Sequence, residues 1–273
     1  MDIKRLKDKK KELGFTNQRV SEISGVPLGT VQKIFGSTTK EPRRETYLAL
    51  LRALEPMAEY ADQRQGTRLG EAVAAYALDG SAKRQGEYTV DDYYALPDDR
   101  RVELIDGVIY DMTSPTIRHQ AIAGEVYFQL MQCAEEHDLD CFPAISPIDV
   151  QLDKDNKTMV EPDVIVICDM STLRERVVYG APEFVVEVLS PTTRKKDQFI
   201  KLNKYCNAGC REVWIVDPEK STVWTYDFSR DDWPETYSFD DVVPVAISEG
   251  KCAVDFSRVK GKLDRVKAMI REE

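Results

Sequence analysis

The chain has 273 residues, 42% of them hydrophobic and 32% charged, a length that suits one large domain or two unequal ones and a composition that excludes a disordered chain. No stretch approaches the roughly 18 continuous apolar residues of a membrane span, and the opening MDIKRLKDKKKELG is charged from its second residue, unlike a secretory signal. The net charge of −10 is uneven: residues 1–56 hold 12 Lys and Arg against 7 Asp and Glu, and the rest holds 26 against 41, so a basic head (+5) precedes an acidic body (−15).

The head reads as four helices. Ile3, Leu6, Lys10 and Leu13 follow helical spacing, and Gly14 supplies a stop. Thr16 or Asn17 can cap a second helix carrying Val20 and Ile23, which Gly25 ends. Pro27 suits the first turn of a third, with Val31 and Ile34 inward, and a fourth over 45–54 places Leu48, Leu51 and Leu54 on one face. Residues 57–86 are polar and rich in Gln, Gly and Ala, a partly helical linker with its helix around 69–78. A body then spans 87–260. Thr89 and Asp92 make a capping box, and Asp106-Gly107 between two apolar runs marks a tight hairpin. A long helix is expected over 117–137, with Ile122, Val126, Leu130 and Met131 inward. Strands are expected at 148–152, 164–168 and 184–189, the last two buried on both faces, then a helix over 194–207 and strands at 213–216 and 223–226. Residues 256–273 read as a charged helix, with 261–273 as a separate tail. The expected architecture is an all-α head joined to an α/β body, a mixed sheet flanked by helices.

The six cysteines contain no C-x-x-C pair and three sit in apolar contexts, which predicts reduced thiols in a cytoplasmic protein. With His119 and His137 the only histidines, a zinc site built from histidine is excluded, and a metal site has to be made of carboxylates.

In the head, GFTNQRVSEISGVPLGTVQKIFG resembles the helix-turn-helix of the Cro/cI-type repressors, through two short helices, a turn at Gly25-Val26, and apolar Val20, Val26, Val31 and Ile34. The resemblance implies DNA as a partner, with Asn17 and Gln18 on phosphates and Leu28, Gly29, Gln32 and Lys33 facing base edges. Leu28 and Gly29 stand where sequence-specific members carry hydrogen-bonding side chains, so Gln32 and Lys33 alone remain for base readout. The alternative is a small helical bundle for protein contact.

In the body, Glu161-Pro162-Asp163 leads into the apolar run VIVIC, and Glu187 lies inside a second such run, FVVEVLSP. Carboxylates in buried strands are costly unless neutralised, and a hard divalent cation suits two of them side by side. The combination VELIDGVIYDMTSP, EPDVIVI, FVVEVLSP, then D-x-x-x-K-x-x-x-Y and AGCREVWIVDP resembles the bacterial Uma-type restriction-endonuclease family of the PD-(D/E)XK nuclease superfamily, from about Tyr88 to Val259. The resemblance implies a restriction-endonuclease-like fold and a Mg²⁺ (or Mn²⁺) site at Asp163 and Glu187. Leu189 stands where the superfamily motif has lysine; in the Uma-type pattern the lysine comes from the next helix, which points to Lys201, sharing a helix face with Asp197 and Tyr205. Lys195 and Lys204 are rivals. Glu103 is either a third acid near the metal or a satisfied strand-edge charge. His119 either touches the phosphate or caps its helix. Glu125 reads as an outer or surface acid, Tyr205 as packing, and Asp217 as a turn former.

The expected function is a Mg²⁺-dependent DNA endonuclease, a homodimer, carrying a helix-turn-helix. The competing reading is a non-catalytic DNA-binding regulator whose nuclease-like body serves dimerisation or sensing.

Overall fold

The computed structural model describes residues 3–12, 16–36, 42–54, 83–97, 99–190, 200–230 and 234–269. The chain divides into two compact units, residues 1–82 with 230–234, and residues 83–229 with 235–273.

The first unit contains α1 (Ile3–Glu12), α2 (Asn17–Ser24), α3 (Leu28–Phe35) and α4 (Arg44–Leu54). Leu6, Val20, Val31, Ile34, Leu50 and Leu54 are fully buried, each helix contributing to one small core. The turn between α2 and α3 is tight: Gly25 takes φ +70°, and Ser21 Oγ donates to the Val26 carbonyl at 2.7 Å. Pro27 precedes α3 as its cap residue, one position earlier than expected. On α4 the expected Leu54 is fully buried, with Tyr47 and Leu50 also buried; the side chains of Leu48 and Leu51 lie outside the described residues. Leu13, Gly14 and the linker helix expected at 69–78 also lie outside them.

The second unit begins with a segment already tied to the body. Gly86 and Tyr88 both donate their N–H to the Gly107 carbonyl, at 2.8 and 3.2 Å. Thr89 and Asp92 form the expected capping box of α5 (Val90–Tyr94). Strands β1 (Val102–Ile105) and β2 (Val108–Asp111) close a hairpin through Asp106 (φ 50°) and Gly107 (φ 75°), the two positive φ values a two-residue turn requires. A Cβ on Gly107 would strike the Gly86 carbonyl, so the glycine is needed for close approach as well as for φ.

A six-stranded sheet follows, in the order β10-β9-β8-β7-β5-β3. Its strands are β3 (Phe142–Ile145), β5 (Val164–Ile167), β7 (Phe184–Val188), β8 (Glu212–Asp217), β9 (Thr222–Asp227) and β10 (Glu235–Ser238). Within this sheet β7 and β8 pair in parallel, joined through α7 (Leu202–Ala208), and the other described ladders are antiparallel. Short pairs β4 (Asp149–Gln151) with β6 (Val177–Tyr179), and β11 (Val242–Pro244) with β12 (Ala253–Asp255), flank the sheet. β3, β6, β10, β11 and β12 were not anticipated; each has at most four residues, too short for an alternating pattern to show.

The 20-residue α6 (Ile117–Glu136) lies against the sheet, with Ile122, Val126 and Leu130 in a core shared with Val164, Phe184 and Trp214. Met131 is only partly buried, and Cys133 occupies the inner position instead. Rather than a detached tail from 261, the last helix is α8 (Phe256–Met269), and its Phe256 and Val259 are fully buried in that core. Glu125 is a buried acid, not a surface one: Arg258 and Lys262 of α8 clamp it at 3.0 and 2.7 Å, and Gln129 joins it at 3.1 Å.

The thiols also depart from expectation. Cys133 pairs with Cys252 and Cys141 with Cys168, while Cys206 and Cys210 stay free. The second pairing follows from register, since Phe142 opposite Ile167 sets Cys141 opposite Cys168 across the β3–β5 ladder. The partners are 119 and 27 residues apart in sequence, so no local spacing announces them.

Candidate active site

Three acids arrive in one cavity from three directions. β5 and β7 run antiparallel with Val164 opposite Val186, which sets Asp163 and Glu187 opposite one another one step further along. Directly opposed side chains on neighbouring strands have Cβ atoms about 4.5–5.5 Å apart. Glu103 comes from β1, which is stitched to the segment ahead of β5 by reciprocal Leu104 and Met159 backbone bonds of 2.8 and 2.7 Å. Glu103 is fully buried and is not a strand-edge charge; its Oε1 accepts the Glu161 N–H at 3.1 Å.

Lys201 meets this group from the turn immediately before α7. Its side chain is 2% exposed, and its Nζ lies 2.7 Å from Glu103 Oε1 and 2.6 Å from Glu187 Oε1. Its backbone is already helical, with φ −65° and ψ −42°. Tyr205, one turn on, donates its hydroxyl to Glu187 Oε1 at 2.5 Å. Burial, with Glu187 beside it, pushes that hydroxyl well above its usual range, so it stays a donor. Two of the three residues grouped by i, i+4, i+8 spacing thus converge on Glu187; Asp197 lies outside the described residues, as does the rival Lys195. The other rival, Lys204, points elsewhere, at Asp106 (2.6 Å) and Asp153.

His119 does not cap its helix. Thr116 does, accepting the His119 N–H at 3.2 Å, and the His119 ring lies with Nε2 3.2 Å from Asp163 Oδ2. Asp163 Oδ2 also accepts the Val188 N–H at 2.7 Å, and the Asp163 carbonyl accepts from Ser146 at 3.0 Å. Asp163 is therefore fixed by both neighbouring strands while its side chain stays 17% exposed to the cavity.

The cavity measures about 320 Å³ and is lined by Arg101, Glu103, Ser114, Thr116, His119, Glu161, Asp163, Glu187, Ser190 and Lys201, among others. Arg101 and Glu161, which pair at 2.5 Å, were not singled out from sequence. The signal for Arg101 was its place two residues before Glu103, the same-face spacing of a strand. Four lining carboxylates face two lining cations, Arg101 and Lys201, so with His119 neutral these groups carry a net charge of −2. Paired oxygen donors with that excess fit one hard dication, which two carboxylates can hold while other oxygens complete its shell. Asp163 and Glu187, opposed across β5 and β7, could hold it.

Asp217 is a turn former: its Oδ1 accepts the Glu219 and Lys220 N–H groups at 3.0 and 3.3 Å. In the first unit, Gln18, Gln32 and Lys33 are exposed, Asn17 is half-buried, and Leu28 is 38% exposed.

Comparison with known proteins agrees with the geometry of the body. The fold is shared with a solved protein described as "a putative nuclease belonging to DUF820 from Anabaena variabilis ATCC 29413", at TM-score 0.55 and 20% identity, over 64% of this chain and 98% of that one. Among curated proteins none matches the sequence. No described helix is long and apolar enough to cross a membrane. The model of the Uma2 family, described as "Putative restriction endonuclease", matches residues 90–249, more than half of the chain and the whole of the carboxylate cavity's lining. The chain belongs to that Uma2 family, with Asp163, Glu187 and Lys201 inside the matched region.

Proposed function

We propose that the protein is a divalent-metal-dependent endonuclease that hydrolyses phosphodiester bonds of DNA, with Asp163, Glu187 and Lys201 at its centre. The observation that carries this reading is the opposition of Asp163 and Glu187 across β5 and β7, with the Lys201 ammonium 2.6 Å from Glu187, in a cavity with a carboxylate excess. Mg²⁺ or Mn²⁺ held by Asp163 and Glu187 would lower the pKa of a bound water and offset charge on the phosphate. Lys201 holds Glu103 and Glu187 in place and brings a positive charge to the cavity floor, where a scissile phosphate gains charge. Glu103 acts through Lys201 rather than directly. His119, against Asp163, is placed to keep that carboxylate oriented and to meet a phosphate at the cavity wall. Two copies on one duplex would turn single nicks into a double-strand break.

The test is cleavage of a supercoiled plasmid by the full chain. Nicking or linearisation is expected with Mg²⁺ or Mn²⁺ and none with a chelator. Cleavage that persists in chelator, or none with either ion, counts against the proposal. The competing reading, a DNA-binding regulator, draws on one observation: Lys201 already neutralises part of the acid cluster without any ion. DNA binding with no cleavage under either ion would favour it.

For the head, we infer a helix-turn-helix in which α2 braces α3 against the DNA. In support, Val20, Val26, Val31 and Ile34 are buried on the shared side, and Gln32 and Lys33 are exposed on α3. With residues 57–273 at −15, the head at +5 is the part suited to a polyanion. Lys33→Ala in the full chain is expected to weaken duplex binding at least threefold and to lower the slope of log affinity against log salt by about 0.9, the loss of one phosphate contact. An unchanged affinity and slope, measured by fluorescence anisotropy across a salt series, would make this bundle a protein-contact module.

A further inference from the structure

The second unit holds another ligand set, which shares no residue with the carboxylate cavity. Cys133 and His137 stand one turn apart at the C-terminal end of α6, and Cys252 faces them from just ahead of β12. The two sulfurs and one His137 ring nitrogen all lie within 4.8 Å of one another; His137 Nδ1 is 3.5 Å from Cys133 Sγ and 3.1 Å from the Cys133 carbonyl oxygen, a contact it gives up if it is the ligating nitrogen. We propose that, once the Cys133–Cys252 disulfide is reduced, these three side chains form a Cys₂His site for a zinc-class divalent cation.

The geometry agrees with the chemistry of such an ion. Tetrahedral zinc with Zn–S near ~2.3 Å and Zn–N near ~2.0–2.1 Å sets a sulfur and a nitrogen ligand about 3.5 Å apart. The i, i+4 spacing of Cys133 and His137 places both on one helix face. The end of a 20-residue helix carries a partial negative charge, which favours a cation there. His137 is exposed, and a cavity of about 130 Å³ lined by Leu130, Ala134, Ile247, Lys251 and Cys252 gives a second approach, on the Cys252 side. Three protein ligands leave a fourth position for water. The balance is simple: two small thiols, RSH, reduce the disulfide to two protein thiols and become RSSR; the cation then displaces one proton from each protein thiol, and the neutral imidazole donates a lone pair. Either state joins α6 to the β11–β12 hairpin, so the fold keeps this staple whether the thiols are oxidised or metal-bound.

The test uses the full chain, reduced with a phosphine that does not bind metal and titrated with Co²⁺ as a spectroscopic substitute for Zn²⁺. One equivalent should produce thiolate-to-cobalt charge-transfer absorption, bleached by Zn²⁺. His137→Ala, at an exposed position, should weaken Co²⁺ binding at least about tenfold, since loss of even an outer partner costs ~10–100-fold. Cys252→Ser should abolish the band. Glu187→Gln, in the carboxylate cavity, should leave it unchanged. The proposal is overturned by a reduced chain that gives no band, by a band that survives Cys252→Ser, by His137→Ala binding as wild type, or by a disulfide that resists the reductant in mass spectra. Because His137→Ala removes only an exposed side chain, it decides the matter even where Cys252→Ser fails to fold.

Discussion

Asp163→Asn is expected to lower DNA cleavage by at least ~10³-fold while the protein stays folded. Removing a single charge-stabilising donor from a hydrolytic site costs about 10²–10³-fold, and Asp163 carries a larger share as a proposed metal ligand. The substitution is nearly isosteric. Asn keeps an oxygen to accept the Val188 N–H, and its backbone carbonyl still accepts from Ser146. What disappears is the negative charge facing Glu187 across the ladder, on which the proposed dication site depends. Stability should change by no more than about 1.5–3 kcal/mol, the scale of one altered hydrogen bond to a charged group. The paired measurements are the cleavage rate with Mn²⁺ and the melting curve by circular dichroism. A variant that melts like wild type and cleaves within tenfold of it removes Asp163 from the chemistry.

The acids were legible because they break a pattern. A carboxylate just ahead of VIVI, and another inside FVVEV, conflict with strands that are otherwise apolar on both faces, and such conflicts point to function. The order of the ladder was not legible. That Asp163 lies opposite Glu187, and that β7 pairs in parallel with β8, depends on pairings over tens of residues that no local spacing encodes. The same limit hid Arg258 and Lys262, whose partner Glu125 lies more than a hundred residues earlier.

The hairpin at Asp106-Gly107 and the capping box at Thr89 were readable because their chemistry is local. Two positive φ angles demand those residue types, and a cap needs its acceptor three residues away. Cysteine is the opposite case. Spacing alone suggested reduced thiols, yet Cys141 and Cys168 face one another only because β3 and β5 pair. Counting histidines likewise excluded a histidine-built metal site and passed over His137, whose second sulfur neighbour, Cys252, arrives only when α6 packs on the β11–β12 hairpin.

Lys201→Met and Lys204→Met are expected to separate widely in both stability and cleavage. Lys201 is 2% exposed and bridges Glu103 and Glu187 at 2.7 and 2.6 Å. Methionine matches its length and strips its charge, leaving two buried carboxylates without their shared cation. Breaking a buried ion pair from one side costs about 3–5 kcal/mol, and the cleavage rate should fall at least ~100-fold with it. Divalent ion should recover part of the lost stability, because a dication can settle among acids that the ammonium no longer occupies. Lys204 sits three residues on but turned toward the hairpin. Burial alone would depress its ammonium, yet hydrogen bonds to Asp106 and Asp153 outweigh that and raise its pKa. Asp106 is 47% exposed, so losing this contact should cost only about 1–2 kcal/mol and leave cleavage within threefold. Melting curves with and without Mg²⁺, read beside single-turnover cleavage, distinguish the two. Normal cleavage by Lys201→Met would take lysine out of the mechanism. A Lys204→Met variant that folds but does not cleave would move the working cation to the hairpin side of α7.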